Sequence, residues 1–435
     1  MTEATLEHWL DRLLERDPDR IEPGVARVRR VATDLLRGKR IGTVISVAGT
    51  NGKGSSVAMA SAICRAAGYR VGSFTSPHLV DVRERFLVDG EPVAADRLIE
   101  AFEAIDAHSG SGELTYFEWL TVAAFVVFAA ESLDVWVLEV GLGGRLDAVN
   151  ALDADLALIT NIGLDHQAWL GDSREEIGRE KAGILRRDRP AVYADPDPVK
   201  VVTTEAVRIG ADLRRLGREV VLEAPTPKDP GHFALLGPEG RRDYVVPALG
   251  GSHQVVNAAG VVALLQHPHS PLDIPDAAVN EGLRSVGLAG RFECFEGDGR
   301  RFVLDVAHNG EAARALADAL KKRPAGRRLA VFSALADKPV AEIVAPLVEL
   351  IDAWWVAELP IPRAMSIQDI ETVLSNAGVG EVYRESGLLA AYNAAIAASR
   401  PGDEIVIFGS FHVVGPLRDR VKTAHNERHR PAPVA

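Results

Sequence analysis

A glycine-rich segment at residues 45–56, with the sequence ISVAGTNGKGSS, constrains the fold of this chain more than any other stretch. An apolar strand runs into a tight turn, and a helix is predicted to begin near Lys53. Gly49, Gly52 and Gly54 allow positive φ angles and a close backbone approach to a ligand. The N–H groups of such a turn and of the helix N-terminus form an anion site. The segment therefore predicts an α/β unit that binds phosphate.

Two side chains of this segment carry the chemistry that a nucleotide site needs. Lys53 offers a positive charge to a β- or γ-phosphate, and the hydroxyl of Ser55 is placed to reach Mg²⁺. The alternative is a glycine turn that binds no ligand, but Gly-Lys-Gly-Ser directly after an apolar strand is the context that a phosphate loop requires. The spacing Gly-Thr-Asn-Gly-Lys is shorter than the common G-x-x-x-x-G-K, so we predict a variant phosphate loop.

Length and composition limit the class of protein. A chain of 435 residues favours two domains. The net charge of −12 argues against nucleic acid as the main partner. The longest apolar run, residues 119–130, is too short to cross a bilayer and predicts a buried helix. The acidic, amphipathic N-terminal sequence lacks a signal pattern, and Cys64 and Cys294 suit buried thiols. We therefore expect a cytoplasmic protein without nucleic-acid or membrane partners.

Polar residues follow three predicted strands. Ser76 lies in the turn TSPHL after a short strand, Glu139 ends the apolar strand DVWVLEV, and His166 follows the strand at 155–161. Ligands of open α/β sheets bind at the carboxyl ends of strands. An acid at such a position beside a phosphate loop is the usual second Mg²⁺ anchor. Taken alone, Ser76 is typical of a plain turn residue.

Two further segments leave structural and functional interpretations open. Lys181 lies on a predicted helix at 176–185, where a lysine is either a solvated charge or a buried group that must be modified or paired. Residues 115–118, TYFE, begin the apolar helix. Their two aromatic rings would clasp a flat heterocycle or form a core pair.

A second alternating β/α pattern begins at residue 301. Its first strand ends near Asp305 and His308, and its last ends near Ser410. We predict an α/β protein with a phosphate-loop mononucleotide-binding domain built on a parallel sheet at 1–288, and a smaller Rossmann-like α/β domain at 289–435. The strands predicted in the second domain are 301–307, 328–334, 353–358, 381–384 and 404–409.

The glycine loop, Lys53, Glu139 and His166 together predict a nucleotide site with metal ions. This combination suits activation of a carboxylate by ATP, followed by capture of the acyl phosphate by an amine. Because an acyl phosphate hydrolyses readily, a second domain that closes and excludes water has a clear purpose.

The chain resembles the folylpolyglutamate synthase/dihydrofolate synthase family, a branch of the Mur ligase superfamily, over nearly its whole length. Nine motifs of the family occur in the same order in this chain, so a chance match is not credible. The motifs are GTNGKGSS (49–56), TSPHL (75–79), TYFE (115–118), EVGLGGRLDA (139–148), TNIGLDH (160–166), GREKAGI (178–184), GRF (290–292), DVAHN (305–309) and GSFH (409–412).

The resemblance implies roles for residues that composition and spacing do not assign. It implies that CO₂ converts Lys181 to a metal-binding carbamate, and that Lys53, Lys181 and His308 are catalytic. The nucleotide-binding residues that it implies are Gly52, Lys53, Gly54, Ser55, Asn257, Arg291 and Asp305. The ligands that it implies for two Mg²⁺ ions are Ser76, Glu139, His166 and Lys181.

Substrate-binding residues also follow only from the resemblance. The implied pterin pocket comprises Thr115, Tyr116, Phe117, Glu118, Leu146, Asp147 and Ala148. His308 and Ser410 resemble residues proposed to hold the incoming glutamate. Asp147 has a structural alternative, because Asp commonly caps its own turn. The sequence departs from the family pattern at Val149, where Thr is common, and at Gln167-Ala168, where Thr-Asp or Met-Asp is common.

The expected activity is ATP-dependent ligation of L-glutamate to dihydropteroate and to reduced folates, by a protein expected to be a monomer. A cell-wall Mur ligase acting on a UDP-muramoyl substrate is one alternative, against which TYFE and RLDA argue. A nucleotide-gated regulatory protein without turnover is another, and it would lack Lys53, Glu139 or His166. All three residues are present.

Overall fold

The computed structural model describes residues 5–16, 20–324 and 326–424. Among the helices of this described part, none has the length and apolar character that crossing a bilayer requires.

The described residues form two compact units. The first comprises the described residues within 1–78, 82–246 and 256–286, and the second comprises those within 79–81, 247–255 and 287–435. The single domain boundary predicted between residues 288 and 289 stays a prediction.

The first unit is built on an eight-stranded sheet with the strand order β4-β3-β2-β5-β1-β6-β7-β8. In this order, all neighbours from β2 through β5, β1, β6 and β7 to β8 pair in parallel. Strands β3 and β4 form an antiparallel edge beside β2. The strands are β1 (Thr43–Ala48), β2 (Val71–Phe74), β3 (Phe86–Val88), β4 (Glu91–Pro92), β5 (Val135–Glu139), β6 (Leu156–Ile159), β7 (Pro190–Tyr193) and β8 (Asp212–Arg215).

A small antiparallel sheet follows in the same unit, with the order β11-β10-β9. Its strands are β9 (Val221–Glu223), β10 (His232–Gly237) and β11 (Gly240–Val245).

Helices cover the parallel sheet, whose central strands therefore read as apolar runs. The helix predicted from the run at 119–130 is confirmed as α5, and its Phe125 ring stacks on Trp136 of β5 with centroids 6.4 Å apart. The helices described before residue 290 are α1 (Leu6–Leu14), α2 (Ala26–Leu35), α3 (Lys53–Ala66), α4 (Ala95–Asp106), α5 (Tyr116–Ala130), α6 (Gln167–Leu170), α7 (Arg174–Ala182), α8 (Lys200–Ile209), α9 (His253–Leu265) and α10 (Asp276–Ser285).

The second unit contains a six-stranded sheet with the order β12-β13-β17-β14-β15-β16. Only β12 runs antiparallel to its neighbour among these described strands. The strands are β12 (Glu293–Gly297), β13 (Arg300–Asp305), β14 (Arg328–Phe332), β15 (Ala353–Val356), β16 (Val382–Arg384) and β17 (Glu404–Phe408).

Helices α11, α12 and α13 contribute to one apolar cluster of the second unit, and α14 and α15 contribute to another. The predicted fold class, a parallel α/β unit followed by a second α/β sheet, is confirmed. The helices are α11 (Gly310–Lys321), α12 (Val340–Val344), α13 (Ile367–Asn376), α14 (Leu388–Ala398) and α15 (Phe411–Ala424).

Candidate active site

The glycine loop joins β1 to α3 as the sequence predicts. Gly52 has φ +83° and precedes Lys53, the first residue of α3. A Cβ at Gly52 would lie 2.5 Å from the Oδ1 atom of Asn257, so only glycine fits this turn. The structure therefore brings together Gly52 and Asn257, two residues predicted to bind the nucleotide.

Residues at the end of β6 hold the loop in place. The Thr160 hydroxyl donates to the Asn51 carbonyl at 2.7 Å, and the Asn161 side-chain oxygen accepts from the Asn51 N–H at 2.8 Å. Thr50 donates from its hydroxyl to the Gly163 carbonyl at 3.2 Å, and the same hydroxyl oxygen accepts from the Gly163 N–H at 2.9 Å. The TNIGLDH motif alone does not indicate these roles of Thr160 and Asn161. The loop is thus preorganised by its neighbouring strand.

Lys53 and Lys181 meet at the backbone of this loop. The Lys53 Nζ atom donates to the carbonyls of Gly49 at 3.0 Å and Thr50 at 3.1 Å. The Lys181 Nζ atom donates to the same Gly49 carbonyl at 2.8 Å. Of the two interpretations of Lys181, the structure supports burial rather than a solvated charge, because the residue is only 4% exposed.

Burial and the neighbouring cation make Lys181 an unusual lysine. Desolvation and the charge of Lys53 lower the pKa of Lys181 to about 7, although the carboxyl groups of Asp165 and Asp147 oppose that change. A large fraction of this amine is therefore neutral near pH 7, and a neutral amine is nucleophilic.

Helix α7 positions Lys181 and is itself fixed at both ends. Ser173 and Glu176 form a capping box at its N-terminus. Near its C-terminus, the Arg145 N–H donates to the Glu180 carbonyl at 2.8 Å, and the Arg145 guanidinium pairs with the Glu180 carboxylate at 2.8 Å. A Cβ at Gly144 would lie 3.0 Å from the Glu180 carbonyl, so glycine permits this close packing. The GLGGRLD segment thus holds the end of α7.

Glu139 and Ser76 come together at the carboxyl ends of the adjacent parallel strands β5 and β2. The Ser76 N–H donates to Glu139 Oε2 at 3.0 Å, and Glu139 is only 4% exposed. A buried carboxylate beside a serine suits a hard, oxygen-seeking cation such as Mg²⁺. The donor set thus fits the predicted metal at these two residues.

His166 has φ +51° and lies immediately before α6, and its side chain is 46% exposed. Its Nε2 atom lies 3.9 Å from Asp165 Oδ2. The preceding loop is fixed by Asp195, which accepts from the Ile162 N–H at 2.8 Å, and by Arg174, which donates to the Ile162 carbonyl at 2.7 Å. Asp195 was not among the predicted residues, although it follows the apolar strand β7 much as Glu139 ends β5.

The TYFE segment begins α5, and two of its residues have structural partners. Thr115 and Glu118 form a capping box. Arg27 binds both carboxylate oxygens of Glu118, at 2.9 Å to Oε2 and 2.7 Å to Oε1. The Phe117 ring lies against Gly141 and 6.0 Å from the Phe74 ring, centroid to centroid. Phe117 packs against the core but is only partly buried, so both interpretations of these aromatic rings stay open.

Tyr116 is also buried, and the Arg85 guanidinium lies 6.0 Å from its ring centroid. Arg85 donates from Nε to His78 Nδ1 at 2.8 Å. Desolvation lowers the pKa of Arg85, while Tyr116 and Glu139 oppose that change.

Asp147 holds its own loop. Its carboxylate accepts from the Leu142 N–H at 2.8 Å and from the Val149 N–H at 2.9 Å. Ala148 begins the short 3₁₀ helix that Asp147 caps, and the Leu146 carbonyl accepts from the Gly24 N–H at 3.1 Å. Burial raises the pKa of Asp147 to about 6, against the effect of these backbone donors. The structure therefore supports the structural alternative for Asp147, as the residue that fixes its own loop.

A second group of predicted residues lies in the second unit, at the ends of β13 and β17. The Asp305 carboxylate accepts from the N–H groups of Phe292 and Ala307, both at 2.8 Å. Burial raises the pKa of Asp305, and the charge of Arg291 opposes that rise. The Arg291 guanidinium lies 5.4 Å from the ring centroid of Phe411.

His308 and Ser410 also lie beside this group. His308 Nδ1 lies 2.8 Å from the Val306 carbonyl, which places the proton of the neutral ring on Nδ1. The His308 and Phe411 ring centroids are 6.2 Å apart. Ser410 precedes α15 and is buried, and its hydroxyl has no hydrogen-bond partner among the described residues.

Two family models and a curated relative match this chain. Residues 47–265 match the model of the Mur ligase middle domain, and residues 290–411 match that of the Mur ligase glutamate ligase domain. The dihydrofolate synthase/folylpolyglutamate synthase of Escherichia coli K12 is 38% identical over 420 residues, which cover 96% of this chain and 95% of that protein.

Solved structures are similar to this chain over nearly its whole length. The structure of Escherichia coli FolC in complex with DHPP and ADP superposes with a TM-score of 0.88 at 37% identity, over 97% of this chain and 98% of that one. A bifunctional folylpolyglutamate synthase/dihydrofolate synthase with Mn, AMPPNP and L-glutamate bound gives a TM-score of 0.86 at 36% identity, over 96% of this chain and 98% of that one.

Proposed function

Because this chain belongs to the dihydrofolate synthase/folylpolyglutamate synthase family of Mur ligases, we propose that it uses ATP to attach L-glutamate to pteridine carboxylates. It is an ATP-dependent ligase that converts dihydropteroate to dihydrofolate and extends reduced folates to folylpolyglutamates. Relatives bind ADP, the ATP analogue AMPPNP, DHPP and L-glutamate; ADP is a product and L-glutamate a substrate of this reaction.

The observation that carries this function is the arrangement around the Gly49 carbonyl. Two amines, those of Lys53 and Lys181, donate to this one oxygen inside a loop that β6 already holds rigid. Phosphoryl transfer depends on preorganised positive groups around the phosphate oxygens. When the nucleotide binds, the Lys53 amine would exchange its two backbone carbonyls for phosphate oxygens.

The reaction proceeds through an acyl phosphate. A carboxylate oxygen of the pteridine substrate attacks the γ-phosphorus, and the bond from that phosphorus to the ADP oxygen breaks. The amino nitrogen of glutamate then attacks the acyl carbon, the carbon–oxygen bond breaks, and phosphate leaves with the former carboxylate oxygen. The amine loses its proton as the amide forms.

Residues of the first unit would bind the phosphates during these steps. The N–H groups of Gly52 and Gly54 and the Lys53 amine would bind phosphate oxygens, and Ser55 lies on the first turn of α3. Asn257, which lies against Gly52, would contact ATP. Arg291 and Asp305 are also proposed to contact ATP.

Ser76, Glu139, His166 and modified Lys181 are proposed to hold two Mg²⁺ ions. When bound, Mg²⁺ neutralises the charge of the phosphate oxygens. The neutral Lys181 amine would attack the carbon of CO₂ and release one proton, giving a carbamate anion. This change would replace repulsion between Lys53 and Lys181 by attraction. The low pKa of Lys181 supports the proposal, because the neutral amine is the reactive form.

Two further groups are proposed to bind the substrates. Tyr116, Phe117, Leu146, Asp147 and Ala148 would line the pterin pocket. Thr115 and Glu118 would contribute by fixing the start of α5, since their polar groups already form the capping box.

His308 and Ser410 would hold glutamate. The Ser410 hydroxyl, without a partner in the described structure, lies at the N-terminus of α15, where a carboxylate is favoured. The protein is further proposed to act as a cytoplasmic monomer.

One assay tests this function. Purified protein receives ATP, Mg²⁺ and L-glutamate with dihydropteroate, tetrahydrofolate or a UDP-muramoyl peptide precursor, and both ADP and the amide product are measured. We expect stoichiometric ADP and amide with each pteridine and neither with the muramoyl substrate. ADP release without amide, or turnover of the muramoyl substrate alone, would contradict the proposal.

A further inference from the structure

Two histidines and a carboxylate converge at the edge of the large sheet, away from the glycine loop. Asp212 begins β8, which lies three strands from β1 in the strand order, and His267 and His269 follow α9. Asp212 Oδ2 lies 2.5 Å from His269 Nδ1 and 3.7 Å from His267 Nε2. Within the described part of the chain, these residues form the one group of at least three His, Cys, Asp or Glu side chains whose ligand atoms all lie within 4.8 Å of one another.

His267 is the member of this group that requires an explanation. Its side chain is only 1% exposed, and its Nε2 atom is buried without a hydrogen-bond partner among the described residues. A buried ring nitrogen without a partner is costly and is often satisfied by an ion or a water. Because Nε2 faces the Asp212 carboxylate, a positive ion between them would satisfy both groups.

We propose that Asp212, His267 and His269 bind one divalent transition-metal ion of the Zn²⁺ or Co²⁺ type. Two imidazole nitrogens and one carboxylate oxygen suit these ions, whereas Mg²⁺ prefers oxygen ligands alone. Ligands about 2.0 Å from a tetrahedral Zn²⁺ are roughly 3.3 Å apart. The distances of 2.5 Å and 3.7 Å from Asp212 Oδ2 bracket this value, so small side-chain movements complete the site.

Binding requires one change of proton position. His267 Nδ1 accepts from the His269 N–H at 3.2 Å, so the neutral ring carries its proton on Nε2. Metal binding at Nε2 moves that proton to Nδ1 and breaks this long hydrogen bond. Burial lowers the pKa of His267, although the charge of Asp212 opposes that change.

The surroundings permit entry of an ion and balance its charge. His269 is 74% exposed and forms the open side of the site, where water would take the fourth position. The Arg214 guanidinium, which also faces His267, is neutralised by Glu239 through bonds of 2.9 Å and 2.7 Å. The bound ion would connect β8 to the segment after α9.

Cobalt titration of the whole, metal-free protein tests the site. Saturating Mg²⁺ and ADP are then added so that Mg²⁺, and not the titrated Co²⁺, occupies any metal site at the nucleotide. We expect one Co²⁺ per chain with the visible absorption of a four-coordinate ion. His269→Ala and Asp212→Asn should each weaken binding by at least about 10–100-fold, because even loss of an outer partner costs that much in metal sites.

His232→Ala is the matched control. His232 Nδ1 also lies 2.8 Å from a carboxylate, that of Asp229, but no second histidine joins this pair in the described structure. Its variant should bind Co²⁺ as the wild type does. Since His269 is exposed, His269→Ala should keep the melting temperature of the metal-free wild type.

Thermal unfolding provides an independent measurement. Zn²⁺ should raise the melting temperature of the wild type and of His232→Ala, because a ligand that binds the folded state stabilises it. It should not raise that of His269→Ala. Equal Co²⁺ affinity in the wild type and His269→Ala, or no Co²⁺ binding by the wild type, would overturn the proposal.

Discussion

Lys53 and Lys181 donate hydrogen bonds to the same acceptor, the carbonyl oxygen of Gly49, at 3.0 Å and 2.8 Å. The two amines come from the phosphate loop and from α7, far apart in the sequence. Their charges oppose each other, and the more buried amine, that of Lys181, has its pKa lowered to about 7. This pair links the phosphate site to the lysine proposed to become a carbamate.

Lys53→Ala should lower kcat by about 10²–10³-fold with both pteridines, because it removes a preorganised charge from the transferring phosphoryl group. ADP release at saturating substrates measures the effect. Lys200→Ala, which changes an exposed lysine on α8, is the control and should keep full activity. Near-normal turnover by a folded Lys53→Ala protein would contradict the phosphate-loop assignment.

Lys181→Ala should be inactive and should recover part of its activity with added short carboxylic acids, which can replace the carbamate. In the wild type, ¹³CO₂ should produce a carbamate resonance that Lys181→Ala lacks. Lys181→Arg keeps a cation that does not form a carbamate, and it should stay inactive. Full wild-type activity in CO₂-free buffer, without a carbamate resonance, would contradict this prediction.

The lowered pKa of Lys181 also predicts a pH dependence of stability. Its pKa is about 7 in the folded protein and 10.5 in the reference state, so between these values the unfolded chain binds more protons. The stability of the wild type relative to Lys181→Met should therefore rise from pH 7 to 10, by at most about 1.4 kcal/mol per pH unit, and be constant below pH 7. Urea unfolding in CO₂-free buffer measures this difference. A difference that does not change across this range would contradict the burial effect.

Arg27→Ala should destabilise the first unit by about 3–5 kcal/mol, because it leaves the buried Glu118 carboxylate without its partner. The Arg27 and Glu118 side chains are 15% and 6% exposed. Arg30 pairs with Glu113 at the surface, so Arg30→Ala should cost less than about 1 kcal/mol. Urea unfolding compares the two variants. Equal losses would mean that burial does not strengthen the Arg27 pair.

Asp147→Ala tests whether this carboxylate contacts the pterin as well as its own loop. If it does, kcat/KM for dihydropteroate should fall about 10–100-fold further than kcat/KM for tetrahydrofolate, which corresponds to a charged hydrogen bond. The change in melting temperature measures how much the Asp147 hydrogen bonds within the loop stabilise the protein. Equal losses of kcat/KM with the two substrates would mean that Asp147 only stabilises its own loop.

The sequence predicted the fold class and the position of several candidate site residues at strand ends, because both depend on local patterns. Apolar strands followed by glycine or acidic residues identified the loop at Gly52 and the strand end at Glu139. Parallel pairing then brings such ends to one edge, which explains why Ser76 and Glu139 meet. The T-x-x-E pattern of TYFE is typical of a capping box, which Thr115 and Glu118 form in the structure.

Other relationships depend on packing between distant segments. The Arg27–Glu118 pair joins residues 91 positions apart, and the bond from Lys181 to Gly49 joins residues 132 apart. The local spacing of apolar and polar residues in the sequence does not predict either contact. The His267 environment is similar, since its burial and its distance from Asp212 exist only in the folded chain.

Transfer of oxygen from substrate to phosphate tests the central claim most directly. Dihydropteroate with an ¹⁸O-labelled carboxylate is converted with ATP and L-glutamate, and the released phosphate is analysed by mass spectrometry. Attack of the carboxylate on the γ-phosphorus predicts one ¹⁸O atom in each phosphate released with a molecule of dihydrofolate. Unlabelled phosphate, with dihydrofolate still formed, would contradict the acyl-phosphate mechanism.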